Sequence, residues 1–259
     1  MPRSSSARLT AYAELKAAVG SCDLRGVRRA FSPPSPFRCS ARELVELLST
    51  AVNSNCAAMV RCVLEQGANP NAIAKEERES PLMLAVRLPG GAPIVTALLE
   101  FGADPNRMIE GRTVLTHAAA FCPVANVRAI LKSPKTLIDE PTREDETALG
   151  FAIVWHHHAM IEELLRHGAS LQARDGGSTP LHLACGSASG DLRSVRLLLK
   201  HGAKLDALDS LGRTPLQCAI EGGYRAIAVL LARKARALGM KSNGMAKELS
   251  LAQERGWED

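Results

Sequence analysis

Between residues 179 and 219 the chain reads Thr179-Pro180-Leu181-His182-Leu183-Ala184, then Val195-Arg196-Leu197-Leu198-Leu199, then Gly202-Ala203, and then Thr214-Pro215-Leu216-Gln217-Cys218-Ala219. A proline fits the first turn of a helix, where its missing N–H leaves no bond unmade. An apolar run ending in glycine fits a second helix closed by a left-handed residue. The opening motif then returns. A helical hairpin recurring at a period of 20–50 residues is the mark of a repeat protein, whose units bury their apolar faces against one another and not in a single central core.

One register covers the chain. With the leucine of the Pro-Leu step as anchor, the anchors are Leu15, Leu48, Leu82, Leu115, Leu149, Leu181, Leu216 and Leu249, separated by 33, 34, 33, 34, 32, 35 and 33 residues. Three residues after each stands an alanine: Ala18, Ala51, Ala85, Ala118, Ala152, Ala184, Ala219 and Ala252. A methyl group there lets neighbouring first helices approach without void or clash.

These residues resemble the ankyrin-repeat family, whose signature joins Thr-Pro-Leu-His-x-Ala to a Leu-Leu helix. The resemblance implies an all-α fold, an ankyrin-repeat solenoid of about seven helix-turn-helix repeats plus a C-terminal half-repeat. The expected repeats are residues 9–37, 40–74, 79–106, 111–140, 144–174, 177–208 and 212–238, with the half-repeat at 245–256. Ala68-Asn69-Pro70-Asn71 and Ala103-Asp104-Pro105-Asn106 resemble the Ala-Asp-Val-Asn that starts the extended finger between repeats. Repeat 4 departs from the family where Ser133-Pro134 replaces Gly-Ala, and repeat 7 where Arg233-Lys234 does. Residues 1–8 are expected to be a short disordered lead, because the register already begins at Leu15.

Composition agrees with thin helical layers. Apolar residues make up 46% of the chain but aromatics only 3%, so Leu, Ala, Val and Ile must fill the core. The formal charge of +5 arises from 32 basic and 27 acidic residues. Apart from Arg25–Arg29 and Arg233–Arg236 no basic block stands out, so the charges are expected to form a solvated face and no nucleic-acid partner is expected. Seven cysteines without a Cys-x-x-Cys pattern read as apolar fillers in a reducing, intracellular compartment, cytoplasmic or nuclear. No apolar run reaches the roughly 18 residues that a membrane span needs, and no membrane partner is expected.

In the ankyrin family the inner surface is formed by the finger turns and the exposed ends of the first helices. The exposed helix positions fall five and six residues after each anchor. In repeats 1, 2, 6 and 7 they are Gly20 and Ser21, Asn53 and Ser54, Gly186 and Ser187, Glu221 and Gly222. In repeats 3, 4 and 5 they are Arg87 and Leu88, Ala120 and Phe121, Val154 and Trp155. Exposed apolar and aromatic side chains at one structural position suggest a binding site. The finger residues Glu79, Arg112 and Glu146 would supply a mixed-charge rim, and His156 and His158 border Trp155.

The function expected is a non-catalytic protein-interaction module that takes a protein or peptide segment in its groove, centred on repeats 3–5. No cofactor and no metal site is expected. Adjacent histidines at a helix end should point apart, so the run His156-His157-His158 is not read as a metal site. His182 and Thr179 look like the family's structural pair. One alternative is a small-molecule pocket in the same groove, with a cyclase- or isomerase-like reaction that uses His156 or His158 as acid or base. Another is a substrate adaptor within a larger assembly. Enzyme motifs are absent: no phosphate-binding Gly-rich loop with Lys, no His-Glu-x-x-His and no nucleophile elbow occurs.

Overall fold

The structure, a computed structural model, describes residues 5–32, 38–186, 190–240, 250 and 254–257. These residues form fourteen α-helices and no β-strand, only two isolated bridges at finger turns. The chain divides into two compact units, residues 1–137 and residues 138–259.

Unit 1 holds four helical pairs: α1 (Ser5–Gly20) with α2 (Leu24–Phe31), α3 (Ala41–Asn53) with α4 (Ala57–Glu65), α5 (Pro81–Arg87) with α6 (Ala92–Glu100), and α7 (Val114–Phe121) with α8 (Val124–Leu131). The first helices α1, α3, α5 and α7 stack in one layer, and the second helices α2, α4, α6 and α8 in another. Unit 2 repeats the arrangement with α9 (Ala148–Val154) and α10 (His158–Arg166), α11 (Pro180–Gly186) and α12 (Leu192–Lys200), and α13 (Pro215–Glu221) and α14 (Arg225–Ala237).

The anchors do what their spacing implies. All seven that are described, Leu15 to Leu216, are buried, and the alanines from Ala51 to Ala219 are fully so. Ala18, in the first of these repeats, is only half-buried. The first helices begin on hydroxyl caps: the side chains of Ser80, Thr113, Thr147 and Thr214 each accept from the backbone N–H three residues on. The second helices of repeats 2, 3, 5 and 6 end on Gly67, Gly102, Gly168 and Gly202, all left-handed with φ between 89° and 92°.

The fingers are stitched one repeat to the next. The Asn71 side chain donates to the Gly102 carbonyl at 3.0 Å and accepts from the Asp104 N–H at 2.8 Å. Asn106 does the same with the Lys135 carbonyl and the Leu137 N–H, so the finger after Ser133-Pro134 keeps this tie despite the lost Gly-Ala.

One feature differs from expectation. Helix α1 opens at Ser5, inside the stretch expected to be disordered; Arg8 pairs with Glu43 at 2.8 Å and Tyr12 donates to Glu46 at 3.0 Å, which fasten it to α3. Residues 1–4, and most of the half-repeat expected at 245–256, lie outside the described residues.

Candidate interaction surfaces

In unit 1 the expected contact residues lie around the ends of α5 and α7. The Arg87 guanidinium reaches both carboxylate oxygens of Glu79 at 2.7 Å, a pair that joins the entry of α5 to its last turn. Both side chains are part-exposed, so the pair adds at most about 1 kcal/mol and serves to fix orientation. Half-buried His117 lies within reach of the charges of Glu79, Arg87 and Arg112. Burial lowers its pKa from the usual value; Glu79 opposes this while Arg87 and Arg112 add to it, so the ring is neutral at neutral pH. At the end of α7, Phe121 is 63% exposed.

Leu88 behaves differently from Phe121. The chain leaves the helix at this residue in an extended conformation, and Leu88 is only part-exposed. Buried Asn126 of α8 pins the turn, donating at 2.8 Å to the carbonyls of both Val86 and Leu88. Its contribution was not foreseen from the sequence, where an asparagine in a second helix carries no special signal.

In unit 2, Val154 and Trp155 at the end of α9 are 51% and 54% exposed. Glu146 is half-buried and held locally, its N–H donating to the Thr142 hydroxyl. The histidine run corrects an expectation. His156 has φ +52°, a left-handed backbone at the position that Cys22, Asn55 and Gly223 occupy in their own repeats. That break in helical order lets His156 and His158 converge where an unbroken helix end would splay them. His156 Nδ1 lies 3.2 Å and His158 Nε2 2.8 Å from the same carboxylate oxygen of Asp191.

Asp191 is also the N-cap of α12, accepting from the Arg193 N–H at 3.1 Å and from the Ser194 hydroxyl. Burial alone would raise its pKa, but the bonds from Ser194, His158 and His156 outweigh burial and bring it down to about 2. One ionised carboxylate thus ties the turn that presents Trp155 to the start of the second helix one repeat on. His156 and His158, expected as contact residues, both make this tie and remain 38% and 23% exposed.

A second tie takes two forms. In repeat 6 the Thr179 hydroxyl meets His182 Nδ1 at 2.7 Å, and His182 Nε2 meets the Arg213 carbonyl at 2.8 Å, which links two fingers as the resemblance implied. Repeat 5 has Gly150 where repeat 6 has His182. The Asp175 carboxylate of the following finger fills that space instead, accepting from the N–H and the hydroxyl of Thr147. A Cβ on Gly150 would overlap the Asp175 carboxylate. Burial raises the Asp175 pKa to about 6 against the pull of the Thr147 bonds, with the Glu146 charge adding to the rise.

Two clefts in unit 1 lie away from the aromatic positions. One of about 280 Å³ is lined by Lys16, Arg42, Glu46, Asn53, Lys75 and Glu77 among others, and one of about 260 Å³ by Thr96, Leu99, Ala129 and Pro134 among others. Neither includes the histidines that the catalytic alternative needs. Among the described residues no group of His, Cys, Asp and Glu has the arrangement of a metal site, and no helix is long and apolar enough to cross a membrane.

The family model for ankyrin repeats (3 copies) matches residues 92–175, 126–209 and 172–241. The chain belongs to the ankyrin-repeat family. Among its relatives, human Ankyrin repeat and SOCS box protein 16 is 31% identical over 172 residues, which is 62% of this chain and 37% of that protein. Human Palmitoyltransferase ZDHHC13 is 29% identical over 202 residues, 75% of this chain and 31% of that protein. The ankyrin-repeat chain therefore spans about a third of the length of these curated relatives. Among solved structures, the ankyrin repeat domain of Bcl-3, described as a unique member of the IkappaB protein family, superposes with a TM-score of 0.64 at 26% identity. The match covers 80% of this chain and 93% of that one. Ankyrin-repeat domains are in general protein–protein interaction modules. A rigid stack of hairpins suits that task, because it presents contact residues already ordered and little conformational entropy is lost on binding.

Proposed function

We propose that this ankyrin-repeat protein is a non-catalytic interaction module for protein or peptide segments, with Phe121 as the anchor of the surface in unit 1 and Trp155 as the anchor of the surface in unit 2. The observation that carries the reading is the exposure of both rings, 63% and 54%, at the same register position in a chain with only 3% aromatic residues. Exposed aromatic rings are the usual energetic centres of interfaces. Glu79, Arg87, Arg112 and neutral His117 around Phe121 supply polar contacts that orient a segment. Glu146 and Val154 serve Trp155 in the same way.

The catalytic alternative would need His156 or His158 to act while paired with Asp191, and neither cleft described above includes them. The adaptor alternative is a special case of the same reading, since the relatives named for a SOCS box or a palmitoyltransferase are longer than their matched repeats. A reducing compartment, cytoplasm or nucleus, is supported by seven cysteines without a Cys-x-x-Cys pattern, of which Cys62, Cys122, Cys185 and Cys218 are buried.

The test is affinity capture from native lysate with the wild type, the single variants Phe121→Ala and Trp155→Ala, and the double variant. Each single variant should weaken capture of a shared partner by about 2 kcal/mol, roughly 30-fold, with helical content unchanged. A double variant that captures the same proteins with unchanged affinity would remove this surface from consideration.

A further inference from the structure

We propose that the outer face of α12 and α14 is a second binding surface, which takes a linear acidic segment of a partner protein. Helix α12 carries Arg193, Arg196 and Lys200, and α14 carries Arg225, Arg233, Lys234 and Arg236; neither helix holds an aspartate or glutamate. The two helices pack side by side. All seven basic residues are exposed, as is Lys204 in the turn after α12.

Arg193, Arg196, Lys200, Lys204 and Lys234 form no ion pair with any described residue. Arg225 is turned toward the Gly256 carbonyl at 3.5 Å. The acids of the neighbouring elements are occupied. Glu162 and Glu163 of α10 hold Arg166, Asp191 holds His156 and His158, and Asp209 and Glu221 hold Arg213. Asp206, in the finger after α12, and Glu254, beyond α14, are further exposed acids among the described residues.

Fold stability accounts for only part of this charge. Lys200 and Lys234 sit in last turns, where a cation answers the partial negative charge of the helix end. Arg193 lies two residues after the N-cap of α12 and Arg225 one after that of α14, where the helix end is partially positive and a cation is disfavoured. Arg196 is in mid-helix and has no such role. Residues 193, 196 and 200 form one stripe along α12, about 10 Å long at 1.5 Å per residue. That length suits a chain running along the helix. Two of the three are arginines, whose planar forks bind carboxylates through paired hydrogen bonds.

The described part of α12 and α14 exposes no aromatic ring on which bases could stack, and Tyr224 packs against Gly190 and Gly222. A carboxylate-bearing protein segment is therefore favoured over single-stranded nucleic acid.

Fluorescence anisotropy with a labelled sixteen-residue oligoglutamate and the full chain tests the proposal. Binding should be saturable at 50 mM NaCl and should weaken roughly ten-fold or more by 300 mM as screening sets in. Arg196→Ala/Lys200→Ala should weaken binding about five- to ten-fold with an unchanged melting temperature, since both side chains are exposed. The variant Phe121→Ala/Trp155→Ala should keep the wild-type affinity for oligoglutamate, which separates this surface from the one proposed above. Absence of saturable binding, equal binding by Arg196→Ala/Lys200→Ala, or tighter binding to single-stranded RNA or to phosphatidylserine vesicles than to the peptide would overturn the proposal.

Discussion

Replacing Asp191 by alanine should destabilise unit 2 more than an ordinary helix-cap mutation does. The cap bond to the Arg193 N–H contributes about 1 kcal/mol by itself. Removing the carboxylate also strands the hydroxyl of Ser194, which is fully buried, and frees His156 and His158, which water can reach in part. A buried hydroxyl left without its partner costs about 1–2 kcal/mol more, for a total of about 2–3 kcal/mol. The acid strength of Asp191 leads to a similar figure. A pKa lowered from 3.8 to about 2 corresponds to about 2.5 kcal/mol at 1.36 kcal/mol per unit, and the group is well buried.

The sign follows from linkage. A carboxylate whose folded pKa is depressed gives stability that is complete well above the unfolded value and is lost as pH falls through the folded one. The gap between wild type and Asp191→Ala should therefore be full at pH 7 and about half as large at pH 3. Urea unfolding followed by circular dichroism at both pH values measures it, with the transition of unit 2 fitted by itself where the two units separate. A gap below about 0.5 kcal/mol at pH 7, or one that does not shrink at pH 3, would refute the assignment of Asp191 as the acceptor shared by both histidines.

Gly150→Ala should displace the Asp175 carboxylate and break its bonds to Thr147, costing about 1–3 kcal/mol in urea unfolding, whereas Gly168→Ala, which meets no neighbour, should show only backbone strain of about 1 kcal/mol. Asp175 titrates in the opposite sense to Asp191. With a folded pKa raised to about 6, its contribution is complete below pH 4 and is lost as pH rises through 6. Asp175→Asn should therefore flatten the stability profile between pH 4 and 7; an unchanged profile would contradict the burial of an ionisable group at this finger.

The fold was legible because repetition multiplies a weak local signal. Leu181 alone is an apolar residue after a proline, but seven described anchors from Leu15 to Leu216 in one register leave little freedom, and all are buried. The exposure of Phe121 and Trp155 followed from counting six residues on from an anchor. Leu88 broke that count because Pro89-Gly90-Gly91 turns the chain early and Asn126 fixes the turn. The role of Asp191 was hidden because repeat 6 is two residues longer than average just before it, so the histidines and their acceptor do not fall a fixed repeat apart. An aspartate followed three residues later by serine at a helix start was the available signal. Asp175 was obscured in another way. Its role appears only when Gly150 is seen to occupy the position of a missing histidine, a gap that becomes meaningful once neighbouring fingers are known to touch.

The most direct test of the central claim is where a captured partner lies on the protein. A photo-crosslinking amino acid placed at Phe121, at Trp155 and, as a control, at the exposed Thr96 of α6 would report contact within a few ångströms in native lysate. The account predicts that a common partner cross-links from positions 121 and 155 and not from 96. Cross-links from position 96 with none from 121 or 155 would contradict it.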